Sequence, residues 1–455
     1  MVGQLKGCQS ANCLIVSANQ VVTPYPVYPL GAACLVGALK KHGHRVNHFD
    51  ILADGGLGAL ENFLTGKTYD LVGVSIRNLD TVDSAAPNQF LAEIVETVNC
   101  IRQKIDTRIV LGGPAFSILP QSLLELMQAD YGIVGEGEVL VPWLASEIAG
   151  GRPPLEKIFY SEPSKGLWQP SDLTPSTAGY YIEHGGMLNV QTKRGCPYNC
   201  SYCSYPNVEG KTIRYRDPDE VAEEVAHLRD HSGAKYIFFA DSFFNDQEGK
   251  FLEVAEALVR KGNTLPWCAF FRPQNLETSD LKLLKRSGLA AIEMGTDAGC
   301  DRTLAGMRKT FSFDEVLQVH ERIIDEEISC AHFIMFGGPD ENEETLKEGL
   351  ENIERLKQCV VFAFAGIRIF PDTGVFERAV ADGIINRDQS LLAPIFYYSP
   401  HISREKIVES IEQSFADRLD RVYPCHEFEG RIETLHKLGH IGPLWDFILK
   451  KRTRR

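Results

Sequence analysis

The 455-residue chain lacks most of the features that classify a protein quickly. No apolar run reaches the roughly 20 residues of a membrane-spanning helix, and the longest candidate, 359–370, is broken by Arg368. The first apolar stretch, 13–18, is too short for the core of a secretory signal and reads as a strand. Neither G-x-G-x-x-G after a first strand nor a Walker phosphate loop occurs, which disfavours NAD, FAD and a P-loop nucleotide. Net positive charge is missing too: at −14 the chain repels the phosphates of a nucleic acid. A cytoplasmic protein without a nucleic-acid partner is expected. Only the tail 450–455, K-K-R-T-R-R, is basic; it reads as a solvated, frayed terminus, with contact to an anionic membrane surface as the alternative.

Strand and helix signals alternate over 13–149. Apolar strand-like runs at 13–18, 45–51, 70–76, 108–111 and 131–134 are separated by helical patterns such as L-G-A-A-C-L-V-G-A-L-K-K, closed by His42-Gly43. Continuous apolar strands in β-α repeats predict a parallel sheet covered on both faces, with ligands at the carboxyl ends of its strands. The pattern breaks over 151–186, which reads as a connection. A second β-α series spans 187–389, with strands predicted at 188–192, 236–239, 267–271, 290–294, 331–336 and 362–369. Six units are too few to close an eight-unit barrel, so an open, partial barrel is expected. The last stretch, 390–455, opens irregularly and then reads as helical.

Twelve cysteines in a cytoplasmic chain suit buried thiols, metal ligands or catalysts better than disulfides. Three of them, Cys196, Cys200 and Cys203, form C-x3-C-x2-C at the end of the first strand of the second series. Chance gives that spacing with a probability of roughly 0.008. Structural zinc wants four ligands, and no fourth partner is evident nearby. Iron–sulfur cubes are normally held by four thiolates, so three would leave one iron open to a substrate or cofactor.

C-x3-C-x2-C with Tyr202 before the last cysteine resembles the signature of the radical S-adenosylmethionine (SAM) superfamily. The resemblance implies a partial barrel of six β-α units, a [4Fe–4S] cluster on Cys196, Cys200 and Cys203, and SAM on the open iron. It also implies an electron donor of the flavodoxin or ferredoxin type. Later segments resemble the family's strand-end motifs: F-F-A-D-S-F-F with Asp241, A-F-F-R-P-Q-N-L with Arg272, and F-I-M-F-G-G-P around Gly337. A-I-E-M-G-T-D-A-G with Glu293 resembles the family's I-G-x-E-S. Tyr202, Asp241, Arg272, Glu293 and Gly337 are thereby the expected SAM contacts. Phe333 stands where the adenine segment usually begins with glycine, and no G-G-E follows the cysteine loop. Each segment alone has a plainer reading: a helix cap for Asp241, a surface charge for Arg272, a turn at Gly337.

The first α/β series is similar to the cobalamin-binding domain that precedes the barrel in one branch of this superfamily. L-G-G-P-A-F-S and V-G-E-G-E carry the likeness, and the implied contacts are Ser75, Arg77, Gly112, Gly113, Gly135, Glu136, Gly137 and Glu138. Plain capping of a helix N-terminus is the rival reading of Glu136 and Glu138. The family's D-x-H-x-x-G histidine is missing: residues 50–55 read D-I-L-A-D-G. Cobalamin bound without a histidine ligand is expected, with Arg77 facing the cobalt or pairing with a phosphate or Asp80; loss of the cofactor is the alternative.

The expected fold is therefore α/β. A Rossmann-like cobalamin-binding domain (1–150) and a linker (151–186) lead to a partial (β/α)6 radical SAM barrel (187–389) and a mostly helical C-terminal region (390–455). The expected function is C-methylation of an unactivated carbon, with a small-molecule or acyl-chain substrate. The acyl chain is suggested by a likeness of residues 14–31 and of G-P-L-W-D-F-I-L-K to a subgroup associated with lipid biosynthesis. A cobalamin-using radical cyclase or rearrangement enzyme, and a non-catalytic cobalamin or iron–sulfur sensor, are the alternatives.

Overall fold

The computed structural model describes residues 9–163, 172 and 174–450. The first sheet has six parallel strands: β1 (Asn12–Ser17), β2 (Arg45–Asp50), β3 (Leu71–Ser75), β4 (Arg108–Gly112), β5 (Tyr131–Val134) and β6 (Ile158–Tyr160), in the order β2-β1-β3-β4-β5-β6. Apolar runs such as Cys13–Val16 are buried on both faces because helices cover both sides of the sheet. The strand order reverses at β1, which opens a crevice at the carboxyl ends of β1 and β3.

β6 corrects one expectation. It lies inside 151–186, read above as a connection, and continues the first sheet beyond β5. Three residues with an exposed Tyr160 leave no periodic pattern to detect. The same stretch also holds the helix Pro175–Gly185, whose Thr174 caps the Thr177 amide.

The second sheet is parallel and open. Its chain order begins with β7 (Leu188–Val190), followed by an antiparallel pair, β8 (Lys193–Arg194) and β9 (Arg214–Tyr215), which brackets the cysteine loop. Then come β10 (Ile237–Phe239), β11 (Trp267–Phe271), β12 (Leu289–Asp297), β13 (Ser329–Phe336) and β14 (Val360–Ala365). β15 (Ile367–Arg368) and β16 (Phe396–Tyr397) form a second antiparallel pair, and β17 (Arg421–Val422) comes last. The sheet order β7-β10-β11-β12-β13-β14-β17 adds a seventh strand to the six expected. Two residues carry no strand signature; β17 is fixed instead by the Arg421 guanidinium, which donates to Ile353 O and Leu356 O.

Alternate residues of these strands face opposite ways. One set packs under the outer helices, with Trp267 buried between Phe239 and Phe244; burying such a ring stabilises by about 2–3 kcal/mol. The other set, including Phe238, Cys268, Ala291 and Phe362, faces the barrel interior. The helix His426–Lys437 and Trp445 close that interior from below. The C-terminal stretch thus supplies helices, as expected, and also β17 and the barrel floor. No described helix is long and apolar enough to cross a membrane. The basic tail from Lys451 onward lies outside the described residues.

Candidate active site between the cysteine loop and the first sheet

The loop after β8 leaves through Gly195, whose φ is +92°; a Cβ there would sit 2.2 Å from Thr212 O, so only glycine fits. Cys196 N donates to Gly210 O (3.0 Å), and Ser201 N to Met307 O (2.9 Å). The half-buried Glu209 carboxylate accepts from Gln191 Nε2 (2.9 Å), the Gly195 amide (3.2 Å) and Ser242 Oγ (3.2 Å). These bonds set the loop's shape before any ligand binds. Cys196, Cys200 and Cys203 are half-buried, reduced and on one loop. Burial pushes the Cys203 thiol up to about 12 and raises that of Cys196, a cost that a bound cation removes. Three free thiols on one short loop, one of them 3.4 Å from the Lys309 ammonium, fit an iron–sulfur cluster.

Lys309 organises the loop's inner side. Its Nζ lies 3.4 Å from Cys200 Sγ and donates to Tyr202 OH at 3.1 Å, and it is ion-paired with Asp297. Neither Lys309 nor Asp297 was among the expected contacts. Asp297 closes β12 at φ +67°. I-G-x-E-S can also be laid four residues further on, over Met294-Gly295-Thr296-Asp297-Ala298, which puts Asp297 at the acidic position. Glu293 lies about 13 Å back along the strand. It faces the barrel interior, accepts from Trp445 Nε1 at 3.2 Å, and burial pushes its carboxyl up to about 7. The structure does not bring it to the cysteines.

The other expected SAM contacts separate. Arg272 stacks on Tyr198 of the cysteine loop, 3.5 Å from the ring centroid, and donates to Thr310 Oγ1 at 3.0 Å. Gly337, at φ +84°, directly follows β13, and its amide donates to Glu341, which is buried and pushed up to about 7. Asp241 is different. Its fully buried carboxylate accepts from Thr192 N (2.7 Å) and pairs with Lys193 (3.7 Å). These bonds fix the entry to β8, because a buried carboxylate must take its hydrogen bonds from whatever lies within reach.

On the first sheet, Ser75, Gly112 and Gly135 end β3, β4 and β5 or follow them directly. The Gly135 amide donates to Ser117 Oγ at 2.9 Å. Gly113 is glycine because a Cβ would lie 2.5 Å from Ile76 O; at Gly137 a Cβ would come within 3.3 Å of Leu35 Cδ1. At Gly113 the chain's own backbone fills the space a side chain would take. Glu136 and Glu138 both reach across to the barrel. Arg194 pairs with Glu138 at 2.7 Å and Glu136 at 3.3 Å, and Arg214 pairs with Glu136. Asp50, near the missing histidine motif, accepts from Tyr181 OH at 3.0 Å.

The crevice itself is lined by Ala18, Asn19, Gln20, Ile76, Arg77 and Asn78. Arg77 has no hydrogen bond or ion pair with a described residue, and Asp80 pairs instead with Arg368 at 2.9 Å. Burial lowers the Arg77 pKa, while Tyr205, two residues past Cys203, acts the other way. Asn19 Nδ2 is buried without a partner. Two unpartnered donors beside glycine-rich strand ends fit cobalamin, whose corrin rim is studded with amide acceptors.

Known proteins share this pairing of sites. Residues 190–353 match the radical SAM superfamily and residues 17–145 match the B12 binding domain. A B12-binding sheet joined to such a barrel defines a class of enzyme. The chain belongs to the cobalamin-dependent branch of the radical SAM superfamily, with a [4Fe–4S] cluster, SAM and cobalamin as its cofactors. The tryptophan 2-C-methyltransferase of Streptomyces laurentii is 22% identical over 441 residues, covering 79% of this chain and 73% of that protein. The anaerobic magnesium-protoporphyrin IX monomethyl ester cyclase of Cereibacter sphaeroides is 25% identical over 350 residues, covering 70% of this chain and 55% of that protein. Among solved structures, the radical SAM methyltransferase TsrM of Kitasatospora setae shares the fold, with a TM-score of 0.84 at 22% identity over 98% of both chains.

Proposed function

We propose that this chain is a C-methyltransferase for a small molecule. The observation that carries the reading is the junction of the two sites: Arg194, two residues before Cys196, is held by Glu136 and Glu138 at the end of β5. When bound, the cluster and SAM supply one-electron chemistry, and cobalamin supplies a methyl group. A carbon without acidity cannot be deprotonated, which is the reason for such an apparatus.

The chain's own residues position and exclude water. Lys309 keeps a fixed positive charge against Cys200, and Arg272, stacked on Tyr198, braces the loop from the other side. Phe270, 40% exposed, lies beside Glu293 in the barrel interior, with Phe238 edge-on to it at 5.3 Å. Phe333 and Phe362 stack 5.2 Å apart at 12°. These parallel rings favour a flat aromatic substrate over the acyl chain suggested by short sequence likenesses. A flavodoxin- or ferredoxin-type protein would deliver the electron.

Methyl-deuterated SAM tests the reading. Reconstituted protein, reductant and the small-molecule fraction of an anaerobic extract should give one product carrying the intact labelled methyl. Turnover of SAM without a labelled product would indicate cyclase or rearrangement chemistry. No turnover at all would indicate a sensor, and either result overturns the proposal.

A further inference from the structure

On the helix-facing side of β13, away from the barrel interior, four buried side chains meet. His320 comes from the helix Phe313–Asp325, Cys330 and His332 lie two apart on one face of β13, and Cys359 immediately precedes β14. All four are at most 3% exposed. His320 Nδ1 and His332 Nε2 face each other at 3.0 Å. Ligand atoms of His320, His332 and Cys359 all lie within 4.8 Å of one another, and Cys330 Sγ is 3.5 Å from His332 Nε2.

We propose that His320, His332, Cys359 and Cys330 form a structural zinc site, built where helix Phe313–Asp325 and the start of β14 converge on β13. Tetrahedral zinc with bonds of about 2.0 Å to nitrogen and 2.3 Å to sulfur needs donors about 3.3–3.8 Å apart; the two imidazole nitrogens are 3.0 Å apart, and Cys330, which lies outside the 4.8 Å group but 3.5 Å from His332 Nε2, would close onto the metal as the fourth ligand. The outer ring nitrogens are already held. His332 Nδ1 is bonded to Thr296 Oγ1 at 2.7 Å, and His320 Nε2 to Lys357 O at 2.9 Å. Such outer partners aim the remaining nitrogens inward, as they do around zinc-bound histidines. Two thiolates and two neutral imidazoles cancel the charge of the metal, so the buried unit is neutral. Of the cations near it among the described residues, Arg421 is engaged with Asp420, the carbonyls of Ile353 and Leu356 and the Cys359 thiol, and Arg418 is paired with Glu354 and Asp420. Three elements distant in sequence would be pinned together, and Thr296, which holds His332, directly precedes Asp297. The zinc would therefore brace the strand end that carries the Asp297–Lys309 pair.

Zinc itself is the probe. The full chain with C196A, C200A and C203A cannot hold metal at the cysteine loop. Purified from zinc-supplemented cells, with folding checked by circular dichroism, it should carry about one zinc per chain by mass spectrometry. Adding H320Q or C359S should remove that zinc. Cobalt-grown triple variant should show thiolate-to-cobalt charge-transfer absorption, which keeps the test open if the ligand variants do not fold. Should the triple variant itself not fold, the wild-type zinc count and its drop by one in H320Q decide. Absence of both zinc and the cobalt spectrum overturns the proposal, as does zinc that survives H320Q and C359S unchanged. Neither outcome depends on the reaction the enzyme catalyses.

Discussion

Arg194 and Glu138 form an ion pair of 2.7 Å between the barrel and the first sheet, each side chain about 10% exposed. Glu138 ends the G-E-G-E run after β5, and Arg194 stands two residues ahead of the first loop cysteine. A buried pair broken on one side leaves an uncompensated charge, at a cost of about 3–5 kcal/mol. Arg194→Met is expected to lower unfolding stability by about 3 kcal/mol. It should also weaken cobalamin retention, although Arg194 touches neither the crevice nor the cysteines. Chemical denaturation and cobalt content on one preparation check this; a change under about 0.5 kcal/mol would show that the pair is idle.

Lys309 is a fixed cation 3.4 Å from Cys200 Sγ. Positive charge beside a cluster favours its reduced, more negative state. Lys309→Met should leave iron content unchanged and move the cluster's reduction potential to more negative values, with Lys309→Arg largely restoring it. An EPR-monitored redox titration reads the shift. A potential equal to that of the wild type would remove Lys309 from the account.

Glu293 gives the protein a pH dependence of definite sign. Burial raises its carboxyl from 4.5 to about 7, so between those values the native state binds the proton and the unfolded chain does not. Stability contributed by this group therefore falls as pH rises from about 4.5 to about 7 and is level above. Glu341, also raised to about 7, acts in the same direction. Glu293→Gln keeps an acceptor for Trp445 and should be more stable than wild type at pH 8 by about 2–3 kcal/mol, with no difference at pH 4.5. Equal stability at both pH values would contradict this.

Gly195→Ala places a methyl group 2.2 Å from Thr212 O at a φ that L-residues avoid. The cysteine loop must then shift, while β7 and the rest of the barrel need not. Iron binding after reconstitution should fall to a small fraction of wild type, with an unchanged far-ultraviolet circular dichroism spectrum. Full iron loading would show that the loop tolerates the displacement.

What could be read from residues alone was what lies close together in sequence. The C-x3-C-x2-C run and the β-α rhythm are both local, and the cysteines follow the first strand of the second series as expected. The misses are long-range. Lys309 reaches Tyr202 across 107 positions, and Trp445 reaches Glu293 across 152, so no window of sequence holds both partners. Glu136 and Glu138 are correctly placed at a strand end, but their partners Arg194 and Arg214 are set by how the two sheets dock. β6 and β17 are too short to leave a pattern and exist because a neighbouring strand offers its edge.

One scaffold holds two separate metal cofactors. Iron and cobalt, counted per chain on the same anaerobically reconstituted samples, test that most directly. The wild type should hold about four irons and one cobalamin, and the C196A/C200A/C203A variant should lose the iron and keep the cobalamin. Iron remaining near four in that variant, or wild-type protein that takes up no cobalamin, would contradict it.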